Sequence, residues 1–354
     1  MLLLILTLLG ACVGSFLNVV IYRMPRGLSV QKPARSFCPV CGAGIPWYLN
    51  IPLLSWLLLR GRSACCHQPI AARYWLVEVA CTALFFAIGS QFPYEPIIAQ
   101  LLLCLWGAAL LALLAMDWEQ MVVEPRLALI AAVCGVCVGT LDPAMVESAA
   151  VQPWEGLVWS LGGALGGYLL FRLVALGGRW LFGRRVSRFP EPVEWQLRQV
   201  GEDVVLTAGG QDFCWSEVFL EQADRLELEA AEIPDLPDAQ GRLVFTNDAL
   251  LLPNGTRHSL EKFDSLAGRC RAVRQCREAM GSGDAWLALA IGALCGWQGM
   301  LFALVAGSCI GLVFALIWRI RRGVPMPFGP SLILAAFLWL FYGPQLLELY
   351  LSWL

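Results

Sequence analysis

Charge is scarce in this chain. Only 15% of its 354 residues are Asp, Glu, Lys or Arg while 58% are hydrophobic, a balance that excludes an ordinary soluble domain and points to a polytopic membrane protein. Met1 to Tyr22 lack the basic n-region and small-residue cleavage site of a secretory signal, so this stretch reads as a retained helix. Only residues 184–278 form a sizeable polar insert, and no catalytic constellation stands out in it; His258 there reads as a surface residue. The glycine-rich run Gly162-Gly163-Ala164-Leu165-Gly166-Gly167 lies inside an apolar span. It therefore reads as two overlapping helix-packing pairs and not as a nucleotide loop. No nucleic-acid partner is expected.

What is present is a series of apolar runs long enough to span a bilayer, near residues 2–22, 72–92, 96–116, 127–144, 154–182, 285–298, 299–318 and 328–352. The fold class expected is an all-α polytopic membrane protein of about eight transmembrane helices. To these are added a cytoplasmic loop containing cysteines and a small β-rich cytoplasmic insert. The organisation follows: 1–22 a first helix, 23–71 the cysteine loop, 72–183 helices two to five, 184–278 the insert, and 279–354 helices six to eight. The boundary between helices six and seven is placed at Trp297-Gln298-Gly299. Within the insert, alternating segments at 204–207 and 243–246, with turn signals at Gly209-Gly210 and Asn254-Gly255, predict antiparallel strands. The acidic stretch Glu221 to Glu232 is expected to form a short solvated helix.

Basic residues set the orientation, because cytoplasmic loops retain Lys and Arg. With the N-terminus outside, all 25 Lys and Arg fall at or near the cytoplasmic side, and the outer connections around 92–96, 141–153 and 298 carry none. That topology places two carboxylates, Asp117 at the end of the run 96–116 and Asp284 at the start of the run 285–297, at the same cytoplasmic rim. Asp284 follows Gly281-Ser282-Gly283. A carboxylate at the mouth of a membrane helix is costly unless it has a partner or a task.

Of 14 cysteines, seven lie in apolar runs, where the thiol acts as a small hydrophobe. Cys38-Pro39-Val40-Cys41 is different. Two thiolates at this spacing can grip one tetrahedral zinc ion, and the second pair comes from Ser63-Ala64-Cys65-Cys66-His67: Cys66 with either Cys65 or His67. A reducing cytoplasm disfavours a disulfide here.

Together these motifs resemble one family. Gly14-Ser15-Phe16-Leu17-Asn18-Val19-Val20-Ile21-Tyr22-Arg23, the Cys-x-x-Cys loop, Asn50-Ile51-Pro52-Leu53-Leu54-Ser55-Trp56, Arg73-Tyr74 and Val77-Glu78 are similar to the N-terminal half of type IV prepilin peptidases. Gly281-Ser282-Gly283-Asp284, the stretch from Gly292 to Trp297 and Pro327-Phe328-Gly329-Pro330 are similar to the C-terminal half. The resemblance implies a multi-pass inner-membrane aspartyl endopeptidase that removes the basic leader of type IV prepilins or pseudopilins at the cytoplasmic face. It also implies N-methylation of the new N-terminus with S-adenosylmethionine in many members. By motif position Asp117 and Asp284 become the catalytic dyad, and Cys38, Cys41 and Cys66 metal ligands. Glycines 281 and 283 would give the backbone freedom and close approach to substrate, and Glu119 and Glu124 would receive the basic leader.

The chain departs from the family pattern in three places. Glu119 and Val123-Glu124-Pro125 stand where an Asp-x-Asp and an Ile-Pro-Asp are usual, Trp286 stands where a lysine is usual, and Ser63 aligns with the fourth family cysteine. Trp286 and Ser63 are the marks an alternative would use: a non-catalytic homologue acting as a membrane assembly or scaffold component.

Overall fold

The computed structural model describes residues 1–33, 36–93, 96–181, 183–200, 203–219, 224–233, 236–260, 263, 265–276, 281–317 and 326–352. Two compact units are present, one formed by Met1–Phe171 with Gly283–Leu354 and the other by Arg172–Ser282. Their helices, in order, are α1 (Leu2–Arg23), α2 (Leu54–Leu58), α3 (Arg73–Gln91), α4 (Ile97–Gln120), α5 (Pro125–Leu141), α6 (Pro153–Leu181), α7 (Trp215–Val218), α8 (Ser282–Ile317) and α9 (Gly329–Leu351).

Among the described residues six helices, α1, α3, α4, α6, α8 and α9, are long and apolar enough to cross a membrane, and α5 is a shorter apolar helix of 17 residues. The expected separation of helices six and seven is present, one residue earlier than Trp297–Gly299: α8 is two helices joined across a kink at Gly296. Its φ of 63° is open to glycine, and a side chain there would meet the Val146 carbonyl at 2.8 Å. The chain bends without leaving a loop. α5 starts at Pro125, whose missing N–H suits the first helical position. It ends by Leu141 rather than 144, before Asp142-Pro143, where proline restricts the preceding residue.

In the first unit α4 is the central element. Trp106, Leu110, Ala112, Leu113 and Met116 are all fully buried, and the Trp106 Nε1 donates to the Ala290 carbonyl of α8 at 2.9 Å. Small residues set the helix crossings. A Cβ on Gly14 of α1 would lie 2.8 Å from the Glu78 Cα of α3. Gly163 of α6 and Gly292 of α8 face each other so closely that a Cβ on either would sit within 2.3 Å of the other's carbonyl oxygen. Of the two predicted glycine pairs, Gly163/Gly167 packs on α8, whereas Gly162 and Gly166 meet nothing within 4 Å among the described residues. Ala132, Ala164 and Ala293 close the same junction of α5, α6 and α8.

The second unit carries β1 (Arg184–Val200), β2 (Asp203–Ala208), β3 (Gln211–Cys214), β4 (Arg225–Ile233), β5 (Leu236–Phe245), β6 (Ala249–Leu251), β7 (Arg257–Ser259) and β8 (Ser265–Cys276). They form an antiparallel sheet of order β3-β2-β1-β8-β4-β5-β6-β7. The Gly209-Gly210 turn has φ of 56° and 78°, both open to glycine, and closes the β2–β3 hairpin. Trp195, Trp215 and Phe245 anchor its core. The acidic helix expected over 221–232 is a correction: its first three residues lie outside the described ones, and from Arg225 onward the stretch is carried by β4. Leu226 and Leu228 alternate along β4 into the core, and burial of that period-two face outweighs the acidic composition.

Candidate functional site

Asp117 lies in the last turn of α4 and is 6% exposed. Its Oδ2 accepts the backbone N–H of Gly329, the first residue of α9, at 3.0 Å. A helix N-terminus offers unpaired N–H groups and positive potential, so it is a natural seat for a carboxylate. Only glycine fits there. A Cβ at 329 would stand 2.4 Å from Asp117 Oδ2 and 2.8 Å from Leu287 Cδ1.

Asp284 occupies the first turn of α8 and is 9% exposed. Leu287, three residues on, is on its neighbouring turn, so the contact of both Asp117 and Leu287 with Gly329 brings the end of α4 to the start of α8. A second contact closes the same corner. The Cα of Gly283 packs on Val123 from the α4–α5 connection, where a Cβ would come within 2.7 Å of the Val123 Cβ. Gly283 is thus a helical residue selected by close approach, and not by an unusual backbone angle; Gly281 precedes the helix.

The other residues singled out by the sequence have structural partners. Glu119 forms an ion pair with Arg73 at the start of α3. Glu124 caps α5 through its backbone carbonyl, and its carboxylate is 3.7 Å from Arg126. Trp286 packs edge-on against Tyr168 of α6, with ring centroids 5.4 Å apart. The position that carries lysine in the family pattern is therefore given to helix packing.

The four thiols Cys38, Cys41, Cys65 and Cys66 converge, with all Sγ atoms within 4.8 Å of one another. Cys38 to Cys66 is 3.7 Å, Cys41 to Cys65 is 3.4 Å and Cys65 to Cys66 is 3.9 Å. A tetrahedral zinc with Zn–S bonds of about 2.3 Å requires sulfurs about 3.8 Å apart, so the set fits this ion. His67, whose φ is 55°, is outside the cluster. Ser63 does not replace a ligand but stands behind one: its Oγ lies 3.1 Å from Cys66 Sγ. Backbone N–H groups of Cys41 and Val40 hold the Cys38 thiol down to about 6, and the Ser63 hydroxyl lowers Cys66. Contact with Cys41 pushes Cys65 up to about 11. Stabilised thiolates beside a protonated neighbour are a donor set suited to a cation.

Several organising residues stand in the motifs quoted above without their role being legible from the sequence. Arg23, 4% exposed, donates from one guanidinium nitrogen to the carbonyls of Ser29, Val30 and Pro33, folding the chain back after α1. Glu78 of α3 accepts the Leu53 N–H at 2.7 Å and anchors the loop from the other side. Between α1, α3 and this loop lies a cavity of about 380 Å³. Gly329 belongs to a recognisable motif, yet its role as the donor to Asp117 is a tertiary fact.

Comparison with known proteins agrees with this architecture. Residues 8–92 match the bacterial peptidase A24 N-terminal domain, and residues 271–316 match the type IV leader peptidase family. A prepilin leader peptidase/N-methyltransferase of Myxococcus xanthus is 53% identical over 102 residues, 28% of this chain and 30% of that protein. The protein of the same name from Klebsiella pneumoniae is 38% identical over half of this chain and 83% of its own length. The one from Stutzerimonas stutzeri is 26% identical over 97% of this chain and 92% of its own length. No solved structure matches. With the Klebsiella pneumoniae protein matched at 38% identity over 83% of its length, and both halves recognised in order, the chain belongs to the type IV leader peptidase family.

Proposed function

We propose that this protein is an inner-membrane aspartyl endopeptidase that removes the basic leader of a type IV prepilin or pseudopilin and N-methylates the new N-terminus. The observation that carries the peptidase reading is the corner at Gly329, where the Asp117 carboxylate meets the first turns of the helix that bears Asp284.

Counting α5 as a short span, and the two parts of α8 on either side of Gly296 as separate spans, gives eight crossings with the N-terminus outside. Both carboxylates then stand at the cytoplasmic rim. That depth suits a substrate whose charged leader stays in the cytoplasm while its apolar segment lies in lipid. Two carboxylates at one site share a proton, because both cannot ionise cheaply. One takes a proton from the attacking water as the C–O bond forms. The other donates to the peptide carbonyl oxygen, and a proton then passes to the leaving amine as the C–N bond breaks. The Gly329 N–H fixes the orientation of Asp117, so the other oxygen is available to the water.

Cys38, Cys41, Cys65 and Cys66 would hold zinc. With four thiolates the ion has no open position, so its work is to fold the loop. S-adenosylmethionine would supply an electrophilic methyl carbon to the free amine.

The test is incubation of membranes containing the protein with a prepilin. A shortened product from wild type and none from Asp117→Asn or Asp284→Asn is expected. Undiminished cleavage by both variants would overturn the dyad. Asparagine is the informative replacement, since its carbonyl can still accept the Gly329 N–H.

A further inference from the structure

We infer that the membrane-proximal end of the second unit is a binding site for anionic phospholipid headgroups, formed by Arg179 and Trp180 at the end of α6, Arg185 of β1 and Arg225 of β4. The site lies outside the carboxylate corner and the thiol cluster and is independent of peptide cleavage.

The helix sets its depth. The apolar span of α6, Pro153–Trp180, is 28 residues long, about 42 Å of helix, which matches the thickness of a bilayer with its headgroup regions. Its last residue, Trp180, is 81% exposed, and an indole at the end of a span is an anchor at headgroup level. α6 ends at Leu181 and β1 begins at Arg184, so at most about 11 Å of chain separates the sheet from the helix.

Strand pairing then gathers charge at that end. Cys276 of β8 pairs with Arg184 on one side and with Arg225 on the other, so the first row of the sheet holds the first residue of β1 and the first residue of β4. Arg225 is remote in sequence from both flanking membrane helices and reaches this row by register alone. In the next row Arg185 pairs with Gln275. Successive side chains point to opposite faces of a sheet, so Arg185 and Arg225 put a cation on each face of the same end. Both are exposed, as is Arg179.

These cations are also uncompensated. Elsewhere in the unit Arg242 pairs with Glu227, Arg257 with Asp248, Arg269 with Glu194 and Arg274 with Glu229. Arg179, Arg185 and Arg225 have no carboxylate partner among the described residues. Clustered basic residues immediately beyond a membrane helix recognise anionic lipid, and the attraction fades within a Debye length of about 8 Å in physiological salt. Arg188, four positions along β1 from Arg184, is about 13 Å beyond the first row. Arg198, exposed near the far end of the same strand, is further still. The strand thus carries its own controls.

The experiment uses full-length protein in nanodiscs of phosphatidylcholine alone or mixed equally with phosphatidylglycerol, each lipid bearing a photoreactive headgroup in turn, with crosslinked peptides mapped by mass spectrometry. Phosphatidylglycerol is expected to mark peptides containing Trp180, Arg185 and Arg225 in preference to phosphatidylcholine, and high salt to remove the preference. Arg185→Gln and Arg225→Gln should each lower it about fivefold, the worth of one arginine at a charged surface, with the melting temperature unchanged. Arg225→Lys, which keeps the charge, should retain it. Arg188→Gln should have a smaller effect and Arg198→Gln none. Equal labelling by the two lipids, or wild-type preference in both Arg185→Gln and Arg225→Gln, would overturn the site. A loss as large in Arg198→Gln would make the effect one of net charge and overturn it too. Inorganic phosphate that abolishes the labelling where chloride of equal ionic strength does not would mark a free-phosphate site and defeat the lipid assignment.

Discussion

The carboxylate corner and the thiol cluster belong to the same compact unit and are built in opposite ways. Asp117 is fixed by elements that exist without any ligand: the end of α4, the first N–H of α9, and a glycine at 329 that leaves no room for a methyl group. The thiols sit on a loop whose only helix in 36–71 longer than a single 3₁₀ turn is the five-residue α2. They are brought together by hairpin-like bridges at Phe37–Gly44 and Arg62–Pro69. The difference teaches that one site is preorganised by helix packing and the other by chemistry at the thiols themselves. Peptide cleavage should therefore depend on glycines and helix ends, and loop integrity on metal.

That contrast can be broken most sharply at Gly329. Gly329→Ala is expected to lower prepilin cleavage about tenfold to a hundredfold, because overpacking a buried site costs about 1–3 kcal/mol and here acts directly on Asp117. Near-normal cleavage by this variant would show that the corner is not rigid.

Metal removal probes the other side. A strong chelator, or Cys38→Ser, is expected to release close to one zinc per chain by atomic absorption and to expose residues 36–71 to protease, with prepilin cleavage falling less than in Gly329→Ala. Cys65→Ser should lose the metal, whereas His67→Ala should keep it. Loss of metal only in the histidine variant would reverse the ligand assignment. Because the Cys38 thiol is held down to about 6, its thiolate persists as pH falls from about 8 to about 7. Zinc retention should decline as pH is lowered, because protons compete with the ion for the thiolates.

Smaller effects should come from residues on the rim of the carboxylate corner. Glu119→Gln removes the ion pair with half-buried Arg73, and cleavage is expected to change less than about threefold, in keeping with the small worth of partly solvated pairs. Trp286→Leu loses the edge contact with Tyr168, worth about 0.5–1.5 kcal/mol. It is expected to lower thermal stability by a few degrees and leave cleavage measurable. Complete loss of cleavage with an intact fold would give Trp286 a role at the reacting atoms.

How much of this is legible in the sequence depends on the range of the interaction. Asp117 and Asp284 stand out because a charge at the edge of an apolar run is conspicuous, and Cys38 and Cys41 because their spacing is itself the chemistry. The partner of Asp117 is 212 residues away in the chain, and the pairing of Glu119 with Arg73 spans 46; no periodicity encodes either. The choice between Cys65 and His67 depends on the backbone turn that carries His67 aside. Composition places the break in α8 one residue late because it marks a region, whereas the left-handed conformation falls on one particular glycine. In the stretch after 221, abundant acidic charge masks the alternation of Leu226 and Leu228 that decides the strand.

The reciprocal contact of Gly163 and Gly292 has one more consequence. Here two backbones touch, with no side chain between them to absorb a change in spacing. Asp284 precedes Gly292 by about two turns of the same helix, so the crossing behaves as a datum from which the position of the carboxylate is measured. Substituting a single methyl group at either glycine would be transmitted along α8 as a displacement of Asp284, a defect in catalysis arising where no catalytic group resides.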